Sequence, residues 1–123
     1  MPNHRNQPKY NFFKNASYAL EGIKDLIKTE TSFKIEVVIA ILLLPILIFI
    51  DVTLMDKIVM FITLMGMLIA EAMNSAIERV VDLVTLDHHI MAGRAKDVGS
   101  AVVLLSVVVF VVVWTTLLYT NLF

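Results

Sequence analysis

Cysteine is absent from the chain, which removes disulfide frameworks, thiolate nucleophiles and zinc ribbons from consideration and leaves the redox compartment open. Charge is scarce as well. Only 17% of the 123 residues are Asp, Glu, Lys or Arg, and they sum to a net −1. That balance lacks the basic excess that phosphate backbones demand, so no nucleic-acid partner is expected. No GxxxxGK[ST] loop, GxGxxG run, HRD or DFG set occurs, which excludes a P-loop enzyme and an ordinary kinase fold. The basic N-terminal stretch lacks the long apolar core and small-residue cleavage site of a secretory signal, so it is expected to stay in the mature protein. Any chemistry has to come from carboxylates, Lys, His and amides.

What is abundant is apolar surface: 59% of the residues are hydrophobic and the mean hydropathy is +0.82. A chain this short cannot bury so much apolar surface in a water-soluble core of its own, and lipid or partner subunits must cover the rest. The expected fold is therefore an all-α membrane protein forming a single domain over residues 1–123. After a polar tail, Met1–Gln7, an amphipathic helix is expected over about 12–28. Phe12, Phe13, Ala16, Ala19, Leu20, Ile23, Leu26 and Ile27 recur at spacings of three and four, and Lys14, Glu21, Lys24, Asp25 and Lys28 fill the other face. Such a helix suits a membrane interface, with lysines toward anionic headgroups; the plainer reading is a surface helix of a soluble domain.

Three spans follow, over about 33–50, 56–84 and 98–122. The first holds an uninterrupted apolar run from Val37 to Ile50, with Glu36 at its cytoplasmic edge and Pro45 tolerated inside it. Asp51, Asp56 and Lys57 are expected to form a tight polar turn. The second span is apolar from Ile58 to Ala70 and then amphipathic to Val84 without a Pro or Gly break, as for one helix leaving the bilayer core. A polar connection over about Thr85–Gly93 leads to the third span, where Trp114 and Tyr119 are expected at the far interface. Of ten Lys and Arg, only Lys57 lies in the connection between the first two spans. By the positive-inside rule the N-terminus is then cytoplasmic and the C-terminus outside.

Glu71, Asn74, Glu78 and Asp82 are spaced three, four and four apart, which at about 100° per residue places them in a stripe roughly 80° wide. A carboxylate at membrane depth is costly and must face a polar cavity or a partner. Helix-to-helix glue is the plainer reading. Across the connection, Lys96 and Ser100 share a face one turn apart, and Gly93 and Gly99 permit close backbone approach. The positive cluster beside the negative one is either a structural salt bridge or the means of phosphoryl transfer. In the second case carboxylates hold a divalent cation, Lys steadies phosphate and another carboxylate takes a proton from the attacking hydroxyl. The neighbouring His88 and His89 fit no zinc spacing and read more plainly as solvated loop. A non-enzymatic small membrane subunit, in which the acids only pair or titrate, is the competing class.

The segments EAMNSAIERVVD (Glu71–Asp82), HHIMAGRAKDVGSAVVLL (His88–Leu105) and TETSFKIE (Thr29–Glu36) closely resemble the bacterial small membrane diacylglycerol kinases, and the likeness covers nearly the whole chain. The resemblance implies transfer of the ATP γ-phosphate to the free hydroxyl of diacylglycerol, giving phosphatidic acid, in a homotrimer of the inner membrane with composite sites between subunits. It implies Glu71 as the general base, Asn74 as its orienting partner, and Glu30 and Glu78 as holders of the Mg2+ bound to ATP. Lys96 would contact phosphate, Asp97 support the nucleotide site, Asp87, His88 and His89 cover the adenine end, and Tyr18 contact the nucleotide. Lys34, Glu36, Glu71 and Ser100 are assigned to the lipid substrate. Asn11 stands where enterobacterial relatives carry an arginine, with Lys9 and Lys14 as nearby cations. A sister branch phosphorylates undecaprenol and usually reads AKDxAAGAV before the third span; Gly99 and Ser100 favour the diacylglycerol branch.

Overall fold

A computed structural model of the chain describes residues 9–123; the polar tail expected over Met1–Gln7 lies outside the described residues. Among them the chain is all helix: α1 Phe12–Thr29, α2 Thr31–Phe49, α3 Leu54–Val84 and α4 Ile90–Leu122. The last three are long and apolar enough to cross a membrane, as expected. The interfacial helix begins where its periodicity does because Asn11 is its N-cap, its side-chain oxygen accepting from the Lys14 backbone N–H at 3.1 Å. Capping is thus the local use of Asn11.

The boundaries differ from expectation in two places. Asp56 and Lys57 belong to the first turn of α3, since Thr53 caps that helix by accepting from the Asp56 N–H at 3.1 Å, and Asp56 sits favourably at the positive end of the helix dipole. Lys57 reaches back to donate to the Ile48 carbonyl at 2.7 Å, satisfying one of the acceptors that the end of α2 leaves open. The connection expected up to Gly93 closes earlier. His89 is the N-cap of α4, its Nδ1 accepting from the Met91 N–H at 3.1 Å, so the helix already runs at Ile90. Gly93 lies inside it, and an added Cβ there would meet nothing within 4 Å. The close approach expected of Gly93 does not occur.

Helices α3 and α4 form an antiparallel hairpin, and α2 packs against α3. The core lies toward the α2–α3 turn, where Ala40, Leu47, Met60, Leu64 and Trp114 are buried together. Trp114 was expected at the lipid interface, but it is turned into this cluster. Its indole N–H donates to the Met60 carbonyl at 3.0 Å and to Thr63 Oγ1 at 3.2 Å, and its ring lies 5.1 Å from that of Phe110. A buried indole needs a partner for its N–H, and the first turns of α3 supply one. Tyr119 is exposed.

Length decides where the polar residues stand. At 1.5 Å per residue, the 31 residues of α3 and 33 of α4 reach about 45–50 Å, against a hydrocarbon core of about 30 Å. The surplus falls where the charges are, at the end of α3 and the start of α4. Most of the valines and leucines of α4 face outward, a surface that lipid or another subunit can cover without cost.

Candidate functional site

The amphipathic half of α3 carries the expected stripe into the protein. Glu71, Asn74 and Ser75 are buried and Glu78 is half-buried. From α2, one turn inside its start, Glu36 is buried as well. Glu36 is close enough to Glu71 for their charges to interact, and Glu71 likewise feels Glu78 and Glu30. Four carboxylates from α2, α3 and the α1–α2 junction therefore share one neighbourhood. Their mutual repulsion in a medium of low dielectric makes that neighbourhood an attractor for cations.

Two acceptors in it are buried without a partner, Glu36 Oε2 and Asn74 Oδ1. Asn74 uses its amide nitrogen to donate to Glu78 Oε1 at 3.3 Å. Its oxygen is pressed against α4 at Gly99, where an added Cβ would collide with Asn74 Oδ1. Close approach at Gly99 is thus as expected, and it brings α4 onto the stripe. An unpaired buried acceptor costs free energy, and such costs gather at sites that bind something.

The cationic side is built by α4 and by a residue that sequence reasoning passed over. Lys96 Nζ lies 2.6 Å from Asp82, with both side chains about half exposed, and Lys96 also feels Glu78. The positive and negative clusters therefore meet across the α3–α4 hairpin. Arg79, next to Glu78 and turned off the stripe, reaches α1 instead: its guanidinium binds Asp25, Thr29 Oγ1 at 2.9 Å and Glu30 Oε1 at 3.3 Å. These partners stand 49 to 54 positions away, so no local pattern announces the link.

An open cleft of about 460 Å3 lies at the hairpin turn, lined by Thr85, Asp87, His88, His89, Gly93 and Lys96 among others. The Asp87 N–H donates to Thr85 Oγ1 at 3.1 Å, which shapes the turn, while the His88 and Asp87 side chains are exposed. The loop residues and Lys96 are thus together. Tyr18 is half-buried on α1. Lys34, Asp97 and Ser100 are exposed, and among the described residues no hydrogen bond or ion pair joins them to the acid stripe.

The donor set suits a hard cation, since it is all carboxylate oxygen. Among the described residues no three His, Asp or Glu side chains are gathered closely enough to hold a metal ion by themselves. One or two carboxylates completed by substrate phosphates is the arrangement that Mg2+ favours, and Glu30 with Glu78 fits that number.

Comparison with known proteins bears on the same residues. The family model for prokaryotic diacylglycerol kinase matches residues 17–118. The chain is 36% identical over 108 residues to the diacylglycerol kinase of Escherichia coli, covering 88% of each protein. It is 35% identical over 105 residues to that of Haemophilus influenzae, covering 85% of this chain and 89% of the relative. The undecaprenol kinase of Bacillus subtilis is 33% identical over 100 residues, covering 81% and 80%.

Proposed function

This chain belongs to the prokaryotic diacylglycerol kinase family, and from that premise we propose that it transfers the γ-phosphate of ATP to the free hydroxyl of diacylglycerol, releasing ADP and phosphatidic acid. The observation that carries the proposal is the run of buried Glu71 and Asn74 and half-buried Glu78 meeting Glu36 and Glu30, with Lys96 across the hairpin.

In this reading the lipid hydroxyl sits at Glu71, the most enclosed of the acids. Its oxygen attacks the γ-phosphorus, the bond from that phosphorus to the bridging oxygen of the β-phosphate breaks, and the hydroxyl proton passes to the Glu71 carboxylate. Asn74 holds Glu78 through its amide and keeps it in line with Glu71 on the stripe. Glu30 and Glu78 would hold Mg2+, which when bound neutralises phosphate charge and aligns the β- and γ-phosphates. Lys96 can exchange Asp82 for a phosphate oxygen because that pair is half exposed. Asp97 supports the nucleotide, Asp87, His88 and His89 frame the adenine end of the cleft, and Tyr18 contacts it from α1. Lys34, Glu36 and Ser100 face the lipid.

The exposed faces of α2 and α4 support a homotrimer in which Lys34, Asp97 and Ser100 complete sites of neighbouring subunits. The lysines of α1 and the single lysine at the α2–α3 turn support a single domain of the bacterial inner membrane with a cytoplasmic N-terminus and a periplasmic C-terminus. Gly99 and Ser100, which resemble the diacylglycerol branch at these positions, favour diacylglycerol over undecaprenol. The test is an assay in mixed micelles with labelled ATP, presenting diacylglycerol and undecaprenol side by side. Label in phosphatidic acid is expected; label in undecaprenyl phosphate alone reassigns the lipid, and label in neither rejects the kinase reading.

A further inference from the structure

None of the residues of α1 is fully buried, and only Tyr18, Asp25 and Leu26 are partly covered, so side-chain packing holds this helix weakly. Its junction with α2 and one side chain from α3, Arg79, join it to the rest. At that junction Glu30 is both the residue that ends α1 and the one that precedes α2, with extended backbone. Ser, Thr, Asp or Asn in that place would cap the following helix with its own side chain. Glu30 makes no such bond; its carboxylate is turned to Arg79. Thr29 is drawn in as well. Its hydroxyl donates to the Asp25 carbonyl at 2.8 Å, which leaves the oxygen free to accept from Arg79 at 2.9 Å.

We propose that Arg79 is a positioning residue, which ties the interfacial helix to the acid-bearing helix α3 and thereby presents the Glu30 carboxylate to the site. The inference rests on the proposed function for what Glu30 does, and on geometry alone for the tie. An ion pair this exposed adds little to stability, and the value of the contact lies in direction. A guanidinium is a planar fork whose donors are fixed relative to one another, so it can hold three acceptors from one turn of chain in a single arrangement. A lysine in its place would offer a point charge and no such template. The three contacts are unequal in a useful way. That to Glu30, at 3.3 Å, is the longest and is the one a cation arriving at Glu30 displaces. Asp25 and Thr29 keep the guanidinium, and α1 stays in place while the carboxylate is released to its ligand.

The experiment compares the full-length protein in phosphatidylcholine and phosphatidylglycerol vesicles with Arg79→Gln, Arg79→Lys and Asp25→Asn. Amide hydrogen exchange over residues 12–30 is measured first. Faster exchange in Arg79→Gln, and to a lesser degree in Asp25→Asn, is expected; unchanged exchange in Arg79→Gln overturns the tie. Steady-state phosphorylation of diacylglycerol is then measured against Mg·ATP. In Arg79→Gln the KM for Mg·ATP is expected to rise about fivefold while kcat changes less than about twofold, and Arg79→Lys to recover part of the difference. A loss of kcat with KM unchanged overturns the positioning role. Exchange needs no turnover, so a chain that phosphorylates neither lipid, yet loosens α1 in Arg79→Gln, rejects the kinase reading while the tie stands.

Discussion

The two halves of α3 are built by opposite rules. Toward its start, Met60 and Leu64 are wholly buried against Leu47 and Trp114, and the buried indole N–H finds acceptors on Met60 and Thr63. Toward its end, three of the buried residues are Glu71, Asn74 and Ser75, and the Asn74 oxygen lacks a partner, as does an oxygen of Glu36 on α2. One half satisfies its polar groups and fills its volume, as a region that confers stability does. The other accepts desolvated carboxylates and open acceptors, costs that are tolerated where a ligand is to be held. The same helix therefore anchors the bundle at one end and offers chemistry at the other.

The largest effect expected from this contrast is at Glu71. Glu71→Gln keeps shape and volume but removes the proton acceptor, and lipid phosphorylation should fall by about 10³-fold or more with thermal stability in detergent little changed. Normal turnover in this variant would remove Glu71 as the base. Trp114→Ala should do the reverse, lowering stability by about 3–5 kcal/mol through a cavity in the core, with the folded fraction retaining its KM for Mg·ATP. If Trp114→Ala leaves the melting temperature alone while raising KM, the division of α3 into two regions is wrong. Gly99→Ala tests the seam between them. Its new Cβ must displace Asn74, and a cost of about 1–3 kcal/mol from overpacking is expected, with activity lowered in parallel because Asn74 leaves its place between Glu71 and Glu78 on the stripe. Retained activity in Gly99→Ala would show that the Asn74 contact is not needed. The smallest effects belong to Glu30→Gln and Glu78→Gln, each expected to raise the Mg2+ concentration for half-maximal rate by about fivefold to tenfold. An unaltered Mg2+ titration in both would leave the cation without ligands.

Part of this site can be read directly from residue order. The stripe Glu71, Asn74, Glu78 and Asp82 follows from helical periodicity, and all four do lie on one helix, with Asp82 meeting Lys96. Gly99 was legible as a point of close approach because small residues let membrane helices meet; Gly93 looked the same and is open. Arg79 was not legible, since it stands beside the stripe and its worth depends on Asp25 and Glu30 of a distant helix. Trp114 misled for a related reason. Near the end of an apolar helix an indole suits the membrane interface as well as a core, and only the Met60 carbonyl opposite it decides between them.

Sequence alone was sufficient for the all-helical class, the three apolar helices, the amphipathic start and the acid stripe, because each is a periodicity or a run within a single segment. The tertiary structure decided which faces meet. It turned Trp114 inward, placed Gly99 on Asn74, gathered Glu30 and Glu36 around Glu71, and gave Arg79 its three acceptors. These are relations between residues far apart in the chain, and uniformly apolar helices carry little in their own order to choose one neighbouring face over another. That choice is made by the few polar groups that must find partners out of water, and by the close fit of the side chains around them.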